Sequence, residues 1–384
     1  MISKNPPLFV SSDFPPIMGG QSKFYFGLWT NLPPHETVIL APKVPGSSLT
    51  DNNLSCLIIR KKWPLRNDNI LKIIKIFFLL IYILKIRLKI KFKSLHCGQL
   101  FSIGFVGLLL KKIIHLPYII YVHGADFLEF KDKFFSGKIL RKILLNADNI
   151  IVNSKFTKTK LLEIGVKSEI INVINPGINL KDFEIEFDIE NFKKELNLEG
   201  KKIILTVSRL VERKGHDLVL RAMPRIIEEI PNAHYLIVGD GPYKTNLEKL
   251  TQKMHLNNYV TFLGFIPDSE VPQYYAICDV SVMVSREIKE KGDVEGFGIV
   301  YLEANAMKKP VVAGKSGGVE DAVEDGVNGL LVEPEDVDQI GGAIIRLLKD
   351  DELRNKLGEK GYQRVKEKFD WKNRREDSQF LLNI

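Results

Sequence analysis

Residues 202–208 read KIILTVS, residues 209–215 read RLVERKG, and a stretch of helical period then runs to residue 230, ahead of Pro231. The first segment is a β-branched run ended by a polar loop, which predicts a buried strand. Strand, loop and helix in that order open an α/β unit, and the back half repeats it. Strands are expected at 235–238, 259–263, 280–284, 310–313 and 329–332, with helices at 242–255, 271–277, 299–307, 337–348 and 353–368. Strands alternating with helices of this length give a parallel sheet covered on both faces.

The front half carries the same theme less cleanly. Strands are expected at 8–12, 37–41, 55–60, 118–122 and 149–152, so a second α/β lobe precedes the first. The link lies near 175–186, where Pro176-Gly177 makes a turn and charge alternation begins. A length of 384 residues suits roughly two domains or a little more. With 45% hydrophobic and 27% charged residues, disorder, collagen-like repetition and coiled coil are excluded as whole-chain descriptions. Cys56, Cys97 and Cys278 are scattered and odd in number, and no Cys/His spacing suits a metal, which points to a reducing, cytoplasmic setting.

Charge is divided unevenly. Residues 1–180 hold 25 Lys and Arg against 10 Asp and Glu, whereas residues 181–384 hold 30 against 37. The basic lobe should favour a polyanionic surface. Nucleic acid is not expected, because no aromatic platform or nucleic-acid motif is interleaved with the cations. Residues 70–93 are the one place a membrane span could hide, but their longest uncharged run, 76–84, is far shorter than the ~20 residues a span needs. Two readings remain: a basic apolar helix lying on an anionic bilayer, or a core helix whose lysines snorkel at one end.

Ligands of open parallel sheets bind at the carboxyl ends of strands, so chemistry is sought in the loops there. Gly19 and Gly20 follow the first strand and let backbone amides approach a ligand. His123 stands beside Gly124 at another strand end and can donate to a sugar hydroxyl or a phosphate. Arg209 offers a planar fork suited to phosphate, and Lys214 a point charge five residues on. Gly239 and Gly241 resemble a dinucleotide fingerprint, but Lys244 occupies the place of its third glycine. Glu295, Gly296, Phe297, Gly298, Ile299, Val300 and Glu303 form the most specific group: acid, Gly-aromatic-Gly, helix start, acid. Cations and helix-start amides suit a diphosphate, and acids suit polyol hydroxyls. Diphosphate plus polyol describes a nucleotide-sugar.

These segments, with Ser316-Gly317-Gly318, resemble the retaining glycosyltransferases of family 4, and look closest to the bacterial phosphatidylinositol mannoside mannosyltransferases. The resemblance implies a GT-B architecture, two Rossmann-like α/β/α domains facing a deep cleft. It places the acceptor-side domain at 1–183, the donor domain at 184–370, and a last segment near 371–384 that crosses back to the first. It implies Gly19 and Gly20 at the diphosphate, Arg209 and Lys214 neutralising it as it leaves, His123 on the transferred sugar and Glu295 positioning that sugar. Gly239, Gly241 and residues 296–300 would line the donor, and Glu303 would hold the ribose. No bound metal or cofactor is implied. The expected activity is transfer of a hexose, foremost mannose from GDP-mannose, to a lipid-linked or cell-envelope glycan at the inner face of the membrane. A UDP-sugar transferase, a GT-B sugar-nucleotide epimerase and a non-catalytic binding protein are the competing expectations.

Overall fold

The computed structural model describes residues 5–52, 54, 56–65, 69–130 and 134–384. Two compact units emerge: residues 1–176 together with 374–384, and residues 177–373. Each is built on one wholly parallel sheet.

In the N-terminal unit the strands are β1 (Leu8–Val10), β2 (Val38–Pro42), β3 (Leu57–Lys61), β4 (Leu95–Cys97), β5 (Tyr118–Val122), β6 (Asn149–Val152) and β7 (Ile171–Val173). They lie in the order β3-β2-β1-β4-β5-β6-β7. Ser55, the first residue of one expected strand, lies outside the described residues. Two strands were not anticipated, β4 and β7. Each is only three residues long, too short to show a period, yet β4 sits at the centre of the sheet between β1 and β5.

The C-terminal unit has β8 (Lys202–Val207), β9 (Ala233–Val238), β10 (Val260–Gly264), β11 (Val280–Met283), β12 (Val311–Gly314) and β13 (Gly329–Val332), ordered β10-β9-β8-β11-β12-β13. Here the expected strands all appear, displaced by at most two residues at an end. The 216–229 helix turns Val219, Ala222, Met223 and Ile226 onto one buried stripe against the sheet. Asp336 and Asp350 cap the two helices that follow β13, accepting from the amides of Gln339 and Leu353.

In both sheets the strand order reverses at one point, between β1 and β4 and between β8 and β11. Successive connections leave to opposite sides there and open a crevice at the carboxyl ends of the strands. Sequence-distant loops are thereby made neighbours.

The last helix, Arg375–Asn383, belongs to the N-terminal unit. Ser378 Oγ donates to the Leu28 carbonyl at 2.9 Å, Arg374 donates to the Asn175 carbonyl at 2.7 Å, and Leu381 is fully buried. Leu381→Ala should therefore cost about 2–5 kcal/mol, from lost apolar transfer and the cavity left behind. Urea denaturation checks this, and unchanged stability would show that the helix is not docked.

Candidate active site

The loops after β8 and β11 meet at the switch point of the C-terminal unit. After β8 the chain passes Ser208 and Arg209, makes one 3-10 turn at Glu212–Lys214, and enters the next helix at His216. After β11 it runs through Asp293 and Glu295 to the helix Ile299–Ala306. Glu295 is 8% exposed, and its Oε2 accepts from Lys214 Nζ at 2.5 Å and from Arg213 Nη1 at 3.0 Å. Arg213 Nε also donates to Asp293 Oδ1 at 2.7 Å. Burial alone would raise the Glu295 carboxyl, but Lys214 and Arg213 outweigh it and hold it down at about 2.

These four groups, two cations and two carboxylates, balance in charge. Arg209 stands apart from them. It is exposed at the end of β8 and has no ion-pair partner among the described residues, so its guanidinium is free for an anion. Gly298 caps the helix Ile299–Ala306 without a side chain, which leaves the Ile299 and Val300 amides open ahead of the first helical bond. Lys214 Nζ also donates to Met283 Sδ at 3.4 Å, which leaves it one N–H; that N–H, the Arg209 guanidinium and the helix-start amides are the groups here whose chemistry suits an anion.

The glycines here act partly on the protein itself. A Cβ at Gly239 would lie 1.9 Å from the Ser208 carbonyl oxygen, and one at Gly241 would lie 2.3 Å from that of Leu210. Both therefore let the β9 loop press on the backbone that carries Arg209. Gly317 has φ +59°, and a Cβ on it would come within 2.2 Å of the Glu295 carbonyl oxygen. The Gly318 amide donates to that oxygen at 2.8 Å, so the loop after β12 clasps Glu295 from behind. Gly296 lies between Glu295 and Phe297, and Phe297 is buried against Phe369 with ring centroids 5.9 Å apart. Glu303, further along the helix, is buried and accepts from Tyr275 Oη at 3.1 Å.

In the N-terminal unit, Gly19 and Gly20 are exposed at the start of the helix Gly20–Thr30, again with no side-chain cap. That helix also supports His123, at the end of β5. Tyr25 Oη donates to the Gly98 carbonyl, so the 2.6 Å bond between Tyr25 Oη and His123 Nε2 needs its proton on the imidazole. Burial pulls His123 down to about 3, so the ring is neutral at physiological pH. Nδ1 is then the acceptor. Phe24 meets the ring edge-on at 5.5 Å, and the His123 amide donates to Asp126 Oδ1 at 2.9 Å. Burial raises Asp126 to about 7.

The structure thus brings Lys214, Glu295, Gly298, Ile299 and Val300 together in one unit, and gives His123 and Gly20 a shared support in the other. Sequence reasoning assigned no role to Arg213, Asp293 or Tyr25. Arg213 was hidden by its neighbour, because in a run of Glu-Arg-Lys nothing marks that both cations turn inward.

Two family models cover most of the chain: Glycosyl transferases group 1 over residues 188–364 and Glycosyltransferase Family 4 over residues 29–182. An uncharacterised glycosyltransferase of Methanocaldococcus jannaschii is 31% identical over 293 residues, 74% of this chain and 73% of that protein. The chain belongs to the family 4 glycosyltransferases. A GDP-mannose-dependent α-(1-6)-phosphatidylinositol monomannoside mannosyltransferase of Mycolicibacterium smegmatis is 34% identical over 236 residues. That match spans 61% of this chain and 62% of the relative's own length. Among solved structures, Anabaena HepE in complex with UDP-glucose superposes with a TM-score of 0.80 at 21% identity, covering 99% of this chain and 100% of that one. At that identity the likeness establishes the fold, which is GT-B.

This family 4 glycosyltransferase should show an acid-labile site. The Glu295 carboxyl lies below its ordinary value of 4.5, so the stability it contributes is full above that pH and lost as pH falls towards 2. Each tenfold change in proton affinity is worth ~1.4 kcal/mol, so the loss approaches ~3 kcal/mol. Glu295→Gln should be less stable at neutral pH and decline less steeply in acid, measured by urea denaturation. An acid slope equal to that of the wild type would show that the two cations do not hold this carboxylate.

Proposed function

We propose that this chain is a retaining hexosyltransferase that moves mannose from GDP-mannose onto a lipid-linked or cell-envelope glycan at the inner surface of an anionic membrane. The observation that carries the donor half is the buried Glu295 carboxylate on Lys214, beside the open amides of Ile299 and Val300. A diphosphate placed there meets Arg209, Lys214 and those amides. The free oxygen of Glu295 is left for a sugar hydroxyl, and Glu303 serves the ribose. In the N-terminal unit, the exposed Gly19 and Gly20 amides suit a phosphate and His123 Nδ1 suits a sugar hydroxyl.

The chemistry follows from the charge. As the bond from the anomeric carbon to the diphosphate breaks, negative charge grows on the leaving oxygens, where fixed cations and helix-start amides stabilise it without reorganising. The likeness to the retaining transferases of family 4 implies that the acceptor hydroxyl attacks on the same face, its proton passing to the departing phosphate, so that configuration is retained. Mannose and guanosine are taken from the named activity of the Mycolicibacterium smegmatis relative.

The membrane surface is supported by the helix Asn69–Lys89. Ile73, Phe77, Leu84 and Leu88 are 70, 62, 43 and 87% exposed and fall along one stripe, since they are spaced 4, 7 and 4 residues apart. Leu79, Ile83 and Ile86 are buried on the opposite side. The helix is therefore apolar towards both the core and the outside. Among the described residues no helix is long and apolar enough to cross a membrane. The stripe instead lies flat in the interface, flanked by Lys85 and Lys89.

Thermal-shift titration with GDP, UDP and their sugars tests the donor, because a ligand that binds only the folded chain raises its melting temperature. Stabilisation by GDP-mannose above all others is expected, whereas preference for a UDP-sugar would overturn the guanosine reading. Arg209→Ala, at an exposed and unpaired position, should lower kcat by roughly 10²–10³ without loss of stability. Transfer at the wild-type rate would remove Arg209 from the diphosphate.

A further inference from the structure

The carboxyl end of the helix Asn69–Lys89 opens into a cavity of about 720 Å³. It lies beside Pro117 at the start of β5, the opposite end of that strand from His123. Arg87, Lys91, Lys93 and His115 line it on the polar side. Leu84, Leu88 and Phe92 line it on the apolar side, and the first two belong to the exposed stripe of the helix. Stripe and cavity are thus one continuous surface, apolar along the helix and basic at its end.

The sequence around this helix is one-sided in charge. From residue 69 to residue 125 the chain holds nine Lys and Arg and no Asp or Glu. The cations at the cavity also retain donors. Arg87 spends one N–H on the Phe92 carbonyl at 3.3 Å, and Lys93 spends one on the carbonyl of Leu382. Lys91 is exposed and has no partner among the described residues.

We propose that this cavity holds the headgroup of an anionic phospholipid, its phosphate on Lys91, Arg87 and Lys93 and its acyl chains along Leu84 and Leu88. The proposal rests on the membrane-surface reading of the same helix and adds a specific lipid site to it. The site holds this end of the sheet at headgroup depth while the helix stripe enters the acyl boundary, so the lobe docks in one orientation. Diffuse attraction between a basic lobe and an anionic surface would fix no orientation.

The test measures binding of the full chain to vesicles of phosphatidylcholine alone and of phosphatidylcholine mixed with phosphatidylglycerol. Three variants are compared: Lys91→Gln with Lys93→Gln in the cavity, Lys85→Gln with Lys89→Gln on the same helix outside it, and Ile73→Ser with Phe77→Ser in the stripe. The cavity pair should lose about tenfold more affinity for the anionic vesicles than the outside pair, the worth of one charge-assisted hydrogen bond. Equal losses in the two lysine pairs would overturn the cavity and leave surface attachment standing. Unchanged binding in all three variants would overturn the membrane reading and the cavity with it. Binding of inorganic phosphate as tight as that of the vesicles, and abolished in the cavity pair, would show a site for free phosphate and overturn the lipid assignment.

Discussion

One buried carboxylate organises the C-terminal unit. Placing Glu295, Lys214 and Arg213 out of water costs several kcal/mol per ion, and mutual attraction offsets this only with close geometry. The contacts of 2.5 and 3.0 Å, with Asp293 on the far side of Arg213, supply that geometry. A hydrophobic trio would pack there at no desolvation cost, so stability does not explain the arrangement. It does hold an ammonium and a carboxylate at fixed positions beside a helix start, which is what a charged ligand with hydroxyl groups needs.

Topology makes this meeting possible. The two loops are about 80 residues apart in sequence, yet β8 and β11 are adjacent strands. The same reversal between β1 and β4 sets the loop of Gly19 and Gly20 beside Gly98, whose carbonyl anchors Tyr25 and through it His123. In each unit, then, the order of strands decides which side chains become neighbours, and short-range bonds decide their aim.

Much of this was legible before the structure. KIILTVS reads as a buried strand because β-branched residues and a polar stop leave little choice, and the acid-Gly-Phe-Gly-helix-acid pattern marks its own loop. Three features were not legible, for physical reasons. β4 carries His96 and follows Lys91 and Lys93, so its three residues look like the tail of a basic helix until neighbours on both sides bury them. Arg213 cannot be told from Arg209 by spacing, because it is the 3-10 turn ahead of Gly215 that brings both Arg213 and Lys214 onto Glu295. The helix within residues 70–93 buries one face and exposes the other, and its apolar residues are spread over both, so hydrophobic spacing does not separate a bilayer-bound helix from a core helix.

A structure of this glycosyltransferase with GDP bound would bear most directly on the central claim. The β-phosphate is expected within hydrogen-bonding distance of Lys214 and of the Ile299 or Val300 amide, with the Arg209 guanidinium turned onto the same group. A diphosphate lodged elsewhere, with Arg209 still in solvent and Lys214 bonded only to Glu295, would contradict it.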